Sequence, residues 1–397
     1  MSSAVIIEAL RSPRGAAKES GALHGVAPVE LLAGVLRALQ ARTGLDSALI
    51  EDGVFGCVTQ TGEQGGNVGK AACLLAGWSP GLSAVTINRY CASGLSAVNL
   101  AALQARDADV LAVAGGVEMM SRVPMFGDHA TYYTDRALAA RIGFVPPPWS
   151  SDLVATREGT TRAECDAYAA LSQARALAAR RRGRQRSMVP VKDAAGQVLL
   201  DHDENIREGN TPEKLASLRT VYEPGANGLD AWGLEREPQL GAIRHVHTAG
   251  NAPCMADGAA AVLVGTAKAA RRLGLAPRAR ILAQAEACVP LVQTGAVDAT
   301  RKALGRAGLQ VSDIDLWEVR DSFAAITLHY VKSLGIDLER FNVNGSSIAL
   351  GHPMGATGAM LVSCLLDEME DRGLRYGVAA LPGALGVATA MVFERIA

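Results

Sequence analysis

Short apolar runs alternate with longer segments of helical periodicity along most of the chain. Buried strands are predicted at 4–7, 53–58, 85–88, 110–114, 259–264, 315–319, 341–343 and 377–381. Segments between them, at 29–42, 94–105 and 357–372, carry apolar residues at the spacing of an amphipathic helix. Strands that alternate with helices indicate an α/β protein, with a mostly parallel sheet covered on both faces.

Two distant segments share one pattern. Residues 37–52 read as the end of a helix, a Gly-Leu pair and then a strand, and residues 302–316 read the same way. Gly44 and Gly308 are 264 residues apart, as are Ile50 and Ile314. Each half later carries a strand, a loop of small residues with one reactive side chain, and a helix. We therefore predict an internal duplication of one α/β unit.

The middle of the chain lacks this regular alternation. Residues 119–250 contain three consecutive prolines at 146–148 and a long helical pattern at 162–182. The predicted organisation is an N-terminal half at 1–118 and 251–276, an inserted lid domain at 119–250, and a C-terminal half at 277–397.

Composition narrows the class of protein. The 397 residues include 39 Lys and Arg against 40 Asp and Glu, which gives no argument for nucleic acid as a partner. A hydrophobic fraction of 49% argues against disorder, and no run of about 18 apolar residues indicates a membrane span. Seven scattered cysteines, without metal-binding spacing, indicate reduced thiols in the cytoplasm and no metal site.

Cys91 is the first candidate for chemistry. It stands between a predicted strand and a predicted helix, followed by Ala92, Ser93 and Gly94. Unpaired amides at a helix N-terminus favour a thiolate, and small neighbours allow a ligand to approach closely. An average cysteine in such a chain is a buried structural residue, but this context favours a nucleophile.

His352 is the second candidate. It lies between Gly351 and Pro353 in a loop rich in glycine and other small residues at 345–358. Packing on an apolar face does not explain a histidine in such a loop. A backbone-positioned imidazole there indicates a general base or an oxyanion donor.

These segments closely resemble the thiolase family over essentially the full length. The resemblance also rests on Gly-Gly-Val-Glu at 115–118, Met-Ser-Arg-Val-Pro-Met at 120–125, Thr-Pro-Glu-Lys-Leu at 211–215, Thr-Ala-Gly-Asn at 248–251 and Asp-Gly-Ala-Ala at 257–260. It implies a five-layer α-β-α-β-α fold of two duplicated halves with an inserted lid domain. It also implies a homodimer or homotetramer that makes or cleaves 3-ketoacyl-CoA.

The resemblance implies a role for each matching residue. Cys91 would hold the acyl group as a thioester, and His352 would activate it and help form one oxyanion hole. The amides of Cys91 and Gly383 would form the second hole. Coenzyme A would be a substrate or product, without a tightly bound cofactor. It would lie along the lid, with Arg219 near the adenine and the turn of Asn251, Pro253 and Cys254 beside the pantetheine.

The sequence departs from the family pattern at three places. The Cys-x-Gly-x-Gly loop has lost its cysteine, which we count to Ala380. The Asn-Glu-Ala-Phe motif reads Arg-Asp-Ser-Phe at 320–323, so the permanent cation of Arg320 replaces an asparagine. Arg320 would stabilise an enolate or oxyanion, or pair with a substrate carboxylate. Pro253 and Cys254 stand where Ser-Gly is expected.

Three functional hypotheses follow from these departures. The favoured one is a thiolase-like acyltransferase with an acyl-Cys91 intermediate and altered acid/base machinery. A compensating proton donor would be Cys254, Asp321 or Ser322, although each is first expected to be structural. The second hypothesis is a non-catalytic subunit that binds acyl-CoA. The third is a decarboxylative condensing enzyme or thioesterase, which does not need the second cysteine.

Overall fold

The computed structural model describes residues 3–183, 185–225 and 228–396. Its strands are β1 (Ala4–Arg11), β2 (Gly15–Ala16), β3 (Ile50–Gly56), β4 (Ser83–Ile87), β5 (Leu111–Met119), β6 (Val191–Lys192), β7 (Val198–Leu200), β8 (Ala256–Thr266), β9 (Ala279–Cys288), β10 (Leu316–Val319), β11 (Tyr376–Pro382) and β12 (Val387–Arg395). The predicted strands at 4–7, 53–58, 85–88, 110–114, 259–264, 315–319 and 377–381 all fall on these elements.

The helices are α1 (Pro28–Thr43), α2 (Val68–Leu75), α3 (Ser93–Ala108), α4 (Arg136–Ile142), α5 (Pro147–Glu158), α6 (Arg162–Arg182), α7 (Pro212–Ala216), α8 (Leu229–Arg236), α9 (Ala267–Arg272), α10 (Gly295–Ala307), α11 (Ala324–Leu334), α12 (Ser347–Leu350) and α13 (Met354–Arg372). In the described chain, none of them is both long enough and apolar enough to cross a bilayer.

Within the described residues, ten strands form one continuous sheet. The path runs β10-β11-β12-β9-β1-β8-β5-β3-β4, and β2 pairs with β8. The two halves meet where β1 pairs with β9, with Val5 opposite Arg280. The prediction of a mostly parallel sheet was wrong. The β3–β4, β3–β5 and β10–β11 pairs are parallel, whereas β8, β9 and β12 join their neighbours antiparallel.

The two halves repeat one order of elements. In the first, α1 ends at Gly44 with a left-handed backbone, and a 3-10 turn leads into β3. In the second, α10 ends at Gly308 in the same conformation, and a 3-10 turn leads into β10. Glycine is favoured at this cap because it adopts a positive φ without strain. Helices α3 and α13 then follow in equivalent places, so the structure carries the predicted repeat.

Helices α3 and α13 form the middle layer of the fold. One buried cluster combines residues of both helices with residues of β1, β5, β8, β11 and β12. A second cluster packs α1 and α2 on the outer face of the first half, and a third packs α10 and α11 on the outer face of the second. This order gives the five α-β-α-β-α layers, with the reactive ends of α3 and α13 inside the molecule.

The segment between β5 and β8 holds helices α4 to α8 and the small β6–β7 pair. Its longest helix, α6, spans the predicted 162–182. Thr161 and Glu164 form a reciprocal capping box at its start, which satisfies amides that the helix itself leaves unpaired. The predicted strand at 341–343 forms only a single bridge, between Phe341 and Trp317, because Asn342 has a φ of 46°.

Candidate active site

Cys91 lies in a tight turn between β4 and α3. Tyr90 adopts a φ of 48°, which is uncommon for a bulky residue and costs on the order of 1 kcal/mol. The Ser93 hydroxyl stabilises the turn, because it accepts a hydrogen bond from the Arg89 amide at 2.8 Å and donates one to the Tyr90 carbonyl at 2.6 Å. These local bonds orient the residue that follows Tyr90.

The Cys91 side chain is buried but not sealed. It is 9% exposed and packs with the apolar side chains of Val58, Met120 and Met354. The Tyr90 hydroxyl lies 2.6 Å from that of Tyr132, so the inserted segment reaches the same turn. The thiol therefore lies among largely apolar side chains, close to the inserted segment.

His352 is held by its backbone and by one ring nitrogen. Its amide donates to the Cys254 carbonyl at 2.8 Å, and its Nδ1 lies 2.7 Å from the Thr357 hydroxyl. We assign the proton of that hydroxyl to the Pro353 carbonyl at 3.0 Å, which makes Nδ1–H the donor to the Thr357 oxygen. The tautomer therefore leaves a lone pair on Nε2, which is buried and has no partner among the described residues.

The protonation state of His352 suits a base. Burial lowers the pKa of the imidazole well below its usual value, and the positive charges of Arg320 and Arg14 lower it further. The ring is therefore neutral at neutral pH, and its Nε2 is available to take a proton.

Close helix packing brings the two candidates to one place. A Cβ at Gly94 of α3 would lie 2.7 Å from the Gly355 carbonyl oxygen, and a Cβ at Gly358 of α13 would lie 2.0 Å from the Leu95 nitrogen. Only glycine allows these backbones to approach so closely. Cys91 and His352 stand just before the N-terminal ends of these two helices, so the crossing places both at the same end.

Glu118 fixes the loops around the thiol, and the sequence interpretation assigned it no role. The fully buried carboxylate accepts from the amides of Val58, Thr59 and Gly355 at 2.9–3.0 Å, and from Gln64 Nε2 at 2.8 Å. It ties the loop after β3 to the start of α13. A glutamate at the end of an otherwise apolar strand was the signal that pointed to such a clamp.

Arg320 follows β10 and is 3% exposed. Its Nη1 donates to the Pro382 carbonyl at 2.9 Å, while its Nε has no partner among the described residues. Burial lowers the pKa of the guanidinium, and the neighbouring Cys91 and Asp321 act in the opposite direction. The predicted residues Cys91, His352 and Arg320 are thus electrostatic neighbours.

The end of β11 and the loop that follows it carry two positions assigned from the sequence. Ala380 is fully buried inside β11 and packs with the outer helices α10 and α11, so it does not belong to the loop. The Gly383 amide donates to the Val387 carbonyl at 2.7 Å, so it is not free for an oxyanion.

The predicted coenzyme A residues fall into two groups. Arg219 is exposed. Pro253 and Cys254 are partly exposed and precede Met255, which forms a β-bridge with His352. Asn251 is fully buried, and its amide nitrogen donates to Asp166 and to the Val246 carbonyl, while its oxygen accepts from the Thr248 amide. Asn251 therefore shapes the turn, with both N–H groups of its amide and one lone pair of its oxygen engaged inside the protein.

Comparison with known proteins decides the family. The thiolase N-terminal domain profile matches residues 4–229, and the thiolase C-terminal domain profile matches residues 275–395. The chain belongs to the thiolase family. It is 39% identical to a 3-ketoacyl-CoA thiolase of Aeromonas hydrophila and 38% identical to those of Escherichia coli and Shewanella denitrificans, each over 100% of both chains.

The thiolase contains three other groups proposed to replace the missing acid. Cys254 Sγ donates to the Ile348 carbonyl at 3.5 Å, and burial raises its pKa. Asp321 accepts from the Ile348 amide at 2.8 Å and from Ser172 at 3.0 Å, and burial raises its pKa to about 7. Ser322 donates to Gln293 at 2.7 Å. Each already has a structural partner.

Proposed function

We propose that this thiolase carries an acyl group on Cys91 and makes or cleaves a 3-ketoacyl-CoA. One observation carries the proposal: a neutral imidazole with a bare Nε2 stands at the same crossing of α3 and α13 as the buried thiol. The chain matches relatives named 3-ketoacyl-CoA thiolase over their whole length, which supports the same reaction class.

The acyl-transfer step uses groups of this chain alone. Nε2 of His352 takes the proton from the Cys91 thiol, and the thiolate attacks the thioester carbon of an acyl-CoA. The carbon–sulfur bond to coenzyme A then breaks, and the departing thiolate takes the proton back from the imidazolium. An acyl-cysteine and free coenzyme A result, so the atoms and charges balance.

The developing oxyanion needs amide donors near the thioester carbon. In place of Gly383, we propose the Ala384 amide together with that of Cys91. Ala384 begins a 3-10 turn, and the first amides of a helix have no acceptor within it. The loop that carries Ala384 approaches the Cys91 turn, since a Cβ at Gly383 would lie 3.4 Å from the Arg89 carbonyl oxygen.

The carbon–carbon step is proposed to run with altered proton transfer. Ala380, the position counted for the family's second cysteine, offers no acidic proton. His352 is proposed to remain the base in this step. A decarboxylative condensation is the second candidate, because loss of CO₂ generates the carbanion without a second base and Arg320 offers a charge for the carboxylate.

Thiolysis tests the proposal directly. The purified protein is mixed with a 3-ketoacyl-CoA and coenzyme A, and the loss of the 3-ketoacyl-CoA is followed. Turnover that disappears in Cys91→Ala supports the favoured reaction. Condensation with malonyl-CoA but not with acetyl-CoA would instead select the decarboxylative reaction, and the absence of both would leave only the role of a binding subunit.

We further propose that the protein is a homo-oligomer that pairs through β4. This strand ends the sheet, and Val85 on it is 44% exposed. Leu100 and Leu103 of α3 are also exposed, at 38% and 40%. An apolar edge strand readily pairs with another chain. Light scattering after size-exclusion chromatography should give at least a dimer, and Val85→Lys should shift the population toward monomer.

A further inference from the structure

The buried arginines of this protein differ in one respect. Arg11 pairs with Asp203 at 2.9 Å, and Arg14 pairs with the same carboxylate at 3.4 Å. Arg320 is equally inaccessible, but within the described chain it forms no salt bridge, and its one side-chain hydrogen bond goes to a neutral carbonyl. A buried charge without a paired carboxylate is costly, so this guanidinium is suited to bind an anionic group.

The hydrogen bond that exists shows which edge of Arg320 is open. Nη1 is held by the Pro382 carbonyl, which fixes the plane of the guanidinium. Nε is unpartnered, and in the described part of the chain no acceptor contacts Nη2. The parallel N–H groups of Nε and Nη2 form the edge that binds the two oxygens of a carboxylate.

The protein's own groups do not supply this anion. The carboxylate of Asp321 is engaged by the Ile348 amide and the Ser172 hydroxyl. Cys91 becomes an anion only when His352 takes its proton, and it offers a single atom rather than two oxygens. Once acylated, the sulfur is neutral, so Arg320 would stay unpaired throughout the life of the acyl-enzyme unless the acyl chain brings a charge.

We propose that Arg320 binds a carboxylate on the acyl chain, so that this thiolase prefers coenzyme A thioesters of dicarboxylic acids. The inference rests on the proposed function, since it names the substrates of the same thiol. Recognition by a preorganised bidentate cation in a dry site explains why a permanent charge stands beside Cys91 and His352. A neutral acyl chain would leave that charge desolvated and unmatched, which disfavours its binding.

Matched pairs of acyl-CoA test the inference, because both members carry the same coenzyme A phosphates. Succinyl-CoA is compared with butyryl-CoA, and glutaryl-CoA with valeryl-CoA. Two quantities are measured: the rate at which Cys91 is acylated in the wild type, and the affinity of each thioester for Cys91→Ala. We expect the charged member of at least one pair to be favoured about 10- to 100-fold, as for a hydrogen-bonded charge pair.

Variants then assign the preference to Arg320. Arg320→Met should abolish it while leaving the affinity for butyryl-CoA equal or higher, and Arg320→Lys should retain only part of it. Arg301→Met is the matched control, because Arg301 is 57% exposed on α10, and it should keep the full preference. Should Arg320→Met fail to fold, Arg320→Lys together with the wild-type ratios decides the question.

The two readouts separate two failures. Absence of acylation by every thioester, with tighter binding of the charged ones to Cys91→Ala, would contradict the proposed function and support the carboxylate site. Equal binding of charged and neutral thioesters, or a preference that Arg320→Met retains, would overturn the carboxylate site whether or not Cys91 is acylated.

Discussion

Two regions of the site differ in how completely their polar groups are satisfied. In the histidine loop, residues 351–357, Thr357 fixes His352 and Glu118 accepts the Gly355 amide, so His352 Nε2 is the one buried side-chain atom without a partner among the described residues of this loop. In the arginine segment, residues 318–322, the Arg320 Nε and the Glu318 Oε1 are buried without partners. The difference suggests that the histidine loop is preorganised for one chemical step. The arginine segment instead has polar atoms available to a ligand, and we propose that it selects the substrate.

The largest expected effect comes from the base itself. His352→Gln removes the bare Nε2, and acylation of Cys91 should slow by about 10²- to 10⁴-fold, the usual contribution of a general base. Single-turnover kinetics with an acyl-CoA measure this rate. His202→Gln is the control, because His202 is an exposed histidine bonded to Asp201, and its rate should not change. A slowing of less than threefold in His352→Gln would remove His352 from the mechanism.

The second-largest effect is expected from steric disruption of the crossing between α3 and α13. Gly358→Ala places a Cβ 2.0 Å from the Leu95 nitrogen, and α3 and α13 must separate. We expect a loss of about 3 kcal/mol or more in the free energy of unfolding. Gly34→Ala in α1 is the matched control, since its Cβ would meet nothing within 4 Å. It should change stability by at most about 1 kcal/mol, in the stabilising direction.

Equal effects of these two glycine substitutions in chemical denaturation would show that the close crossing does not hold the site together.

A smaller effect is expected where Thr357 orients the imidazole. Thr357→Val removes the acceptor of Nδ1–H, and the acylation rate should fall roughly 3- to 10-fold, as for the loss of one hydrogen bond. Thr357→Ser keeps the hydroxyl and should restore the rate. The dependence of the acylation rate on pH distinguishes a positioning role of Thr357 from a folding defect. Without the Thr357 hydroxyl, the Nδ1–H tautomer of His352 is no longer favoured, so Thr357→Val should change this dependence. An unchanged rate in Thr357→Val would contradict this role.

The contribution of the arginine segment to stability should depend on pH. Burial raises the pKa of Glu318 to about 8, with the Glu368 charge acting in the same direction. Between the unfolded pKa of about 4.3 and pH 8, the folded protein holds a proton that the unfolded chain lacks, so stability falls as pH rises. Glu318→Gln should remove most of this fall, which the two pKa values put at about 3 to 4 kcal/mol between pH 5 and pH 8. Melting temperatures at pH 5 and pH 8 measure it, and parallel profiles for both proteins would contradict the assignment.

The fold was largely predictable where one strand or helix carries its own signal. The ends of α1 and α10 follow from Gly44 and Gly308, which are favoured in the left-handed conformation observed there. Strands β9 and β12 were not predicted. In β9, Arg280, Gln284 and Glu286 interrupt the apolar residues, whereas β12 is apolar from Val387 to Phe393 except for Thr389, and its start was assigned to the glycine loop. Their antiparallel pairing also explains why a mostly parallel sheet was the wrong expectation.

The site was predictable only as far as its geometry is local. Cys91 and His352 stand at helix starts that the sequence marks with small residues. The role of Gly383 depends on the turn that brings Val387 back to its amide, and that of Asn251 on contact with the distant Asp166. Such long-range hydrogen bonds are set by tertiary packing, so residue type and spacing do not reveal them.

One measurement tests the central claim most directly. The protein is incubated with an acyl-CoA, and its intact mass is measured before and after, with peptide mapping to locate any adduct. The account predicts one added acyl group on Cys91, absent from Cys91→Ala and retained in Cys288→Ser, which removes an exposed thiol. An unmodified protein with every thioester of the matched pairs, or an adduct that maps to another cysteine, would contradict it.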